Sequence, residues 1–199
     1  MNNPNALLHR RDVVNELLRA RGELLVIAGL GAPNWDISAA GDSPNNFPLW
    51  GAMGAASMIG LGLALAQPKR RVLVITGDGE MLMSIGSLAT IAVEAPANLT
   101  IAVLDNERFG ETGMQKTHTA AGVDLAGIAT ASGIRTSRIV RTQAEVTEIR
   151  DLAHEGRGTV FAQIKINPEA LGFVMPPADG SILTTRFRQA VLGDESLYN

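Results

Sequence analysis

Two apolar runs, each ending in a short polar motif, constrain this chain more than any other feature. Val72-Leu73-Val74-Ile75 leads into Gly77-Asp78-Gly79, and Leu99-Thr100-Ile101-Ala102-Val103-Leu104 leads into Asp105-Asn106. Unbroken runs of this kind, rich in Val and Ile, are the pattern of strands buried on both faces of a parallel sheet. Between Gly79 and Asn106 lie 26 residues, room for about one helix and its connections. Two such strands, lying side by side, set Asp78 and Asn106 together at their carboxyl ends, where open α/β sheets bind ligands. A carboxylate, an amide oxygen and a nearby main-chain carbonyl are hard oxygen donors suited to Mg2+, which also takes phosphate oxygens and water. The pattern predicts a diphosphate held through a metal. Glycine on both sides of Asp78 lets the backbone approach a phosphate closely. Amides at Gly79, Glu80 and the start of the next helix are then placed to donate to it.

The rest of the chain alternates strand and helix. The pattern predicts helices over 10–21, 35–40, 51–66, 83–93, 124–132, 143–155 and 185–192. It predicts strands over 24–28, 72–76, 99–104, 134–140 and 159–166, with a long glycine-containing loop over 106–122. This order implies an α/β fold, a mainly parallel sheet with helices on both faces. One domain is expected over 1–199, with its core at about 24–170 and a C-terminal extension over 171–199.

On these motifs the chain resembles the thiamin-diphosphate-dependent enzymes, and its Gly77-Asp78-Gly79 and Asn106 match their metal and diphosphate motif. The stretch from Leu49-Trp50-Gly51-Ala52-Met53-Gly54 through Gly77-Asp78-Gly79-Glu80 to Asp105-Asn106-Glu107-Arg108-Phe109-Gly110-Glu111-Thr112-Gly113 is similar to sulfopyruvate and phosphonopyruvate decarboxylases, above all to a separate β subunit. The resemblance implies the diphosphate-binding (PP-type) domain of such enzymes, with thiamin diphosphate and Mg2+ as cofactors. Asp78, Asn106 and the main-chain carbonyl of Arg108 would be the metal ligands. Gly31, Gly51, Met53, Gly77, Asp78, Gly79, Glu80, Asn106, Arg108, Phe109 and Gly110 would meet the cofactor, Met53 as an apolar prop that folds its two rings together. Packing of Met53 inside a helical core is the competing reading. Glu80 after the glycine-aspartate-glycine motif and Asp105 before Asn106 depart from the commoner family pattern.

Residues 107–119 carry the side chains best suited to touch a substrate. Glu111, Thr112 and His118 are the candidates for catalysis, with Gln115 and Lys116 beside them, because a 2-oxo acid bearing a second anionic group needs such donors and loops carry function more often than core elements. A solvated polar loop is the plain alternative. His9 and His154 read as solvated surface residues, and Arg186 and Arg188 as surface residues or contacts to an anion or partner.

Composition excludes several other classes. There is no cysteine, so thiolate catalysis and disulfides are ruled out. The net charge of −3 gives no basic footprint for nucleic acid. No apolar stretch has the length of a membrane span, and Met1-Asn2-Asn3-Pro4 does not open a signal peptide, so a cytoplasmic protein is expected. The resembling enzymes need a glutamate from a pyrimidine-binding domain, for which this chain has no room; Glu16 and Glu23 match no such role. The expected partner is therefore an α subunit carrying that glutamate, in a heterotetramer or larger assembly acting on a small anionic 2-oxo acid. The expected reaction is decarboxylation to an aldehyde and CO2. An acetolactate-synthase-like or acyloin-forming carboligase and a non-catalytic cofactor-binding module are the alternatives.

Overall fold

A computed structural model describes residues 7–198; the Met1-Asn2-Asn3-Pro4 stretch lies outside them. Six strands form one sheet in which every pairing is parallel: β1 (Leu25–Ala28), β2 (Asn46–Pro48), β3 (Val72–Gly77), β4 (Leu99–Asp105), β7 (Thr136–Val140) and β8 (Val160–Lys165), in the order β2-β1-β3-β4-β8-β7. Its central strands are buried on both faces, as their apolar runs require. The chain leaves β1 for one side of the sheet with β2 and crosses to the other with β3. That reversal opens a crevice outside the carboxyl ends of β1 and β3, the position at which such sheets take ligands.

Helices cover both faces. On one, α1 (Arg10–Leu18), α2 (Ala32–Ala39) and α7 (Gln143–Glu155) bury Val13, Leu17, Ile37, Val146 and Ile149. On the other, α3 (Ala56–Ala66), α5 (Ser87–Glu94) and α6 (Leu125–Ser132) bury Leu61, Leu88, Ile91, Leu125 and Ala129. The N-terminal helix, outside the core expected from sequence, is thus fully packed, and Leu8 bridges to Ile166. No helix among the described residues is long and apolar enough to cross a membrane.

Several boundaries differ from the sequence pattern. The helix expected from residue 51 starts at Ala56, because Ala52 (φ 58°) and Gly54 (φ 96°) adopt backbone angles closed to a right-handed helix. The helix expected over 83–93 is two: α4 (Asp78–Met83) begins at Asp78 itself, and α5 follows a break at Ser84–Gly86. The strand expected from 134 starts at Thr136, since the Ile134 amide caps α6 by donating to the Ala129 carbonyl behind Gly133 (φ 110°). Within the 106–122 loop, β5 (Arg108–Phe109) and β6 (Gln115–Lys116) form a small antiparallel ladder. The C-terminal helix α8 (Gly180–Leu192) starts earlier than 185, capped by the Asp179 side chain on the Ser181 and Ile182 amides. It packs beside β2, with the Phe187 ring 5.0 Å from Phe47, and Arg186 pairs with Asp42 at 2.5 Å. His9 precedes α1 and pairs with Glu169 at 3.0 Å.

Small residues in α3 set how closely it approaches the sheet. A Cβ on Gly60 would sit 2.2 Å from Val74 Cγ2, whereas one on Gly62 would meet nothing within 4 Å. Gly60→Ala should therefore destabilise the isolated chain by about 1–3 kcal/mol, and Gly62→Ala should stabilise it by about 0.4–1 kcal/mol. Urea unfolding of both variants checks this; equal effects would reject the close approach at Gly60.

Candidate functional site

Three strand ends converge at the crevice. Beyond β1 the chain turns through Gly29-Leu30-Gly31, and Gly31 (φ 83°) precedes α2, whose first turn carries Pro33. Beyond β3 comes Asp78, and β4 ends at Asp105 with Asn106 just beyond it. The cavity between them has a volume of about 110 Å3, and Met53, Asp78, Glu80, Asn106, Phe109 and Glu111 are among its walls. Sites for whole cofactors run to about 300–1,000 Å3, so this cavity encloses only part of such a ligand.

Asp78 is buried and accepts hydrogen bonds at one oxygen, Oδ2, from Thr117 (2.5 Å) and Thr119 (3.0 Å). Its Oδ1 takes no side-chain donor among the described residues. Burial, with the Asp105 carboxylate nearby, raises the Asp78 pKa from 3.8 to about 6 against the pull of the two threonine hydroxyls. Asp105 is fully buried, yet it is surrounded by donors: Gln163 Nε2 at 2.6 Å, Lys165 Nζ at 2.8 Å, Thr119 Oγ1 at 2.8 Å and the Glu107 amide at 3.1 Å. Register produces the ion pair, because Asp105 on β4 lies opposite Lys165 on β8. Burial pulls the Lys165 ammonium down, but hydrogen bonds to Asp105 and Glu107 outweigh it and leave the pKa raised.

Asn106 turns its amide oxygen to the Arg108 N–H at 2.9 Å, which fixes the loop after β4 and leaves that oxygen a second lone pair. Glu107 (φ 61°) bends the chain beside it. No group of three His, Asp or Glu side chains that could hold a metal forms among the described residues. A metal here would need the mixed oxygen set of Asp78, Asn106 and a main-chain carbonyl. The surroundings fit a diphosphate with such an ion. A Cβ on Gly77 or Gly51 would meet nothing within 4 Å, while Gly79 must stay bare because the Phe109 ring would lie 2.8 Å from its Cβ.

Most of the side chains expected at the site meet there. Met53, Gly77, Asp78, Gly79, Glu80 and Asn106 line the cavity, as do Arg108, Phe109, Gly110, Glu111 and Thr112. Met53 sits in the turn before α3, 38% exposed, and is no helix-core residue. Three positions stand back. Gly31 is covered by Glu111, whose Oε1 would lie 2.3 Å from a Cβ there. Gly51 is exposed beyond the cavity wall, and the His118 ring packs edge-on to Phe109 with centroids 6.4 Å apart. Sequence reading missed Arg10, a buried wall residue paired with the buried Asp36, which Arg11 also approaches at 3.4 Å. It missed Thr117, Thr119, Gln163 and Lys165 as well. Gln163 and Lys165 left a signal, two polar residues at alternate positions of an otherwise apolar strand.

Comparison with known proteins gives the chain's family. Residues 37–164 match the model of the thiamine pyrophosphate enzyme, C-terminal TPP binding domain. The chain belongs to that family. It is 36% identical to sulfopyruvate decarboxylase subunit beta of Methanothermobacter thermautotrophicus over 187 residues, which cover 94% of this chain and 97% of the relative. It is 35% identical to phosphonopyruvate decarboxylase of Streptomyces viridochromogenes, across 83% of this chain but 42% of that protein. The structure of benzoylformate decarboxylase from Polynucleobacter necessarius shares the fold at a TM-score of 0.68 and 19% identity, over 87% of this chain and 36% of the other.

In this thiamine pyrophosphate-binding domain the raised Asp78 pKa has a consequence for stability. The folded-state value lies above the unfolded one, so ionised Asp78 costs the ligand-free fold most above pH 6. The cost fades as pH falls toward 4. Asp78→Asn should therefore stabilise the ligand-free chain by up to about 3 kcal/mol at pH 7.5, and the gain should shrink as pH falls through 6. Urea unfolding across that range checks it; a gain independent of pH would reject the assignment.

Proposed function

We propose that this chain is one thiamin-diphosphate-binding domain acting as the diphosphate- and Mg2+-holding subunit of a heteromeric 2-oxo acid decarboxylase. Its substrate is a small anionic 2-oxo acid of the sulfopyruvate or phosphonopyruvate type, and its products are an aldehyde and CO2. The observation that carries this reading is the placement of Asp78 and Asn106 at the ends of adjacent strands, with Met53 lining the same cavity. The relative matched along nearly its whole length is named as a β subunit, and the one matched over less than half is named without a subunit. Both names are of decarboxylases of anionic 2-oxo acids. A cavity too small for a whole cofactor supports a site completed by a second chain. That chain would be an α subunit with a pyrimidine-binding domain and its glutamate, in a cytoplasmic heterotetramer or larger complex.

Asp78, Asn106 and the Arg108 carbonyl would hold Mg2+, and the ion would neutralise and anchor the diphosphate. Thr117 and Thr119 orient Asp78 by occupying Oδ2, which leaves Oδ1 for the metal. Met53 would keep the rings of the bound cofactor folded. Thiamin diphosphate supplies the electron sink that accepts the pair released as CO2 leaves. Glu111 and Thr112 line the cavity and would position the substrate; His118, one ring removed behind Phe109, would act through that ring's placement.

Mixed with a pyrimidine-binding partner, Mg2+ and thiamin diphosphate, the chain should convert sulfopyruvate or phosphonopyruvate to the aldehyde, and alone it should not. Asp78→Ala should abolish Mg2+-dependent cofactor binding measured by calorimetry on the complex. Turnover by the chain alone, or unchanged affinity in the variant, would overturn the reading.

Met53→Ala should lower kcat by roughly 100-fold while cofactor affinity changes little, since a misplacement of about 1 Å costs that much. Met53→Leu preserves volume and should cost little. Exchange of the cofactor's C2 proton and thermal melting, read on the same complexes, separate the roles. A fold weakened by about 2–5 kcal/mol with undiminished exchange would reject the prop.

A further inference from the structure

Glu80 was expected to meet the cofactor through its backbone, and its side chain has no part in the chemistry above. That side chain is buried, 6% exposed, on the first turn of α4. Its Oε1 accepts from the Gly54 amide at 3.1 Å, and its Oε2 accepts from the Thr76 hydroxyl at 2.8 Å. The backbone amides of Ala56 and Leu30, in the turns on either side, also favour its ionised form. A Cβ on Gly29 would lie 1.8 Å from Oε2, so the turn after β1 reaches the carboxylate only because residue 29 has no side chain. No lysine or arginine among the described residues pairs with Glu80.

One buried carboxylate thus takes hydrogen bonds from the end of β3 and from the turn that carries Met53, and lies hard against the turn after β1. Such charge-assisted bonds are roughly twice as strong as neutral ones. The Met53 turn needs them. Trp50, Gly51, Ala52 and Met53 are all exposed, and Ala52 holds a left-handed φ of 58°. Backbone of that kind persists only where its surroundings over-determine it, and its one internal bond is from the Ala55 amide to the Ala52 carbonyl at 2.9 Å.

We propose that Glu80 is the positioning residue of the Met53 turn, fastening it to the helix that begins with Asp78 so that prop and metal ligand stay in fixed register. This rests on the roles of Met53 and Asp78 proposed above. Glu80→Gln is the informative variant, because it keeps the volume but removes the charge that strengthens both bonds and one of the two acceptor oxygens.

Two measurements test it. In the isolated chain without cofactor, the Gly54 amide of Glu80→Gln should exchange with solvent at least about tenfold faster, by a local opening of the turn. In the complex, the variant should bind Mg2+ and thiamin diphosphate nearly as the parent does, while exchange of the cofactor's C2 proton slows about tenfold or more. Unchanged amide protection would overturn the tether. Faster amide exchange with normal C2 exchange would overturn its link to the chemistry; if Met53→Ala were also normal, the fault would lie in the role given to Met53. Loss of cofactor binding as in Asp78→Ala would overturn the proposal too, by placing Glu80 in the diphosphate cradle. Should the glutamine variant fail to fold, Glu80→Asp keeps the charge, retracts it by one methylene and is read the same way.

Discussion

The crevice depends on the neutralised charge of Asp105. A fully buried carboxylate at the end of the central strand would be strongly destabilising without partners. Lys165 meets it from β8 because parallel register sets the two residues opposite each other, and Gln163, one pleat earlier, adds a second donor. Gln163 in turn accepts from the Ala126 amide at the start of α6. The Thr119 hydroxyl lies between the two carboxylates, 2.8 Å from Asp105 and 3.0 Å from Asp78, and shares its one proton between them. One ion pair therefore joins two strands, a helix and the 106–122 loop, and it sets the threonines that orient Asp78.

From this fixed point the site follows by topology. β3 lies between β1 and β4, so the three connections that leave their carboxyl ends must share one opening. Each brings one kind of group: bare backbone from the β1 turn, a carboxylate from the β3 turn and an amide from the β4 turn. A sheet with its strands in another order would scatter them. The same topology explains why the cavity is shallow. Trp50, Met53 and Met83 keep exposed surface, Trp50 even with its indole N–H on the Pro177 carbonyl, and exposed apolar side chains grouped beside a crevice are the usual mark of a contact surface.

The sheet and the meeting of Asp78 with Asn106 at adjacent strand ends were legible because they rest on local signals: apolar runs for the strands, and polar residues placed at their ends. What failed was of three kinds. Helix starts were misplaced where the backbone angle of a single residue decides, as at Ala52 and at Asp78, where the helix begins inside the motif. Partners that meet only through register were not visible either, since nothing local ties Lys165 to Asp105 across sixty positions. The strand Asn46–Pro48 has three residues and ends in proline, which left too little pattern to read. Arg10 and Asp36 were missed for the same reason, being adjacent only once α1 packs on α2.

The two departures from the family pattern, Asp105 and Glu80, are settled in opposite ways. Asp105 is paired with a cation, one strong partner whose position the sheet register guarantees. Glu80 has no cation. Burial raises its pKa, and only the Thr76 hydroxyl and the amides of Gly54, Ala56 and Leu30 oppose that rise. Each of those donors belongs to a segment that must stay in place for the carboxylate to remain comfortable as an anion. The dependence runs both ways: the turns hold the charge and the charge holds the turns. A cation-balanced carboxylate would tolerate a loosened turn, whereas a donor-balanced one couples the turn's geometry to its own ionisation. The strained, solvent-exposed Met53 turn is thus tied to the part of the site whose electrostatics are least forgiving of movement.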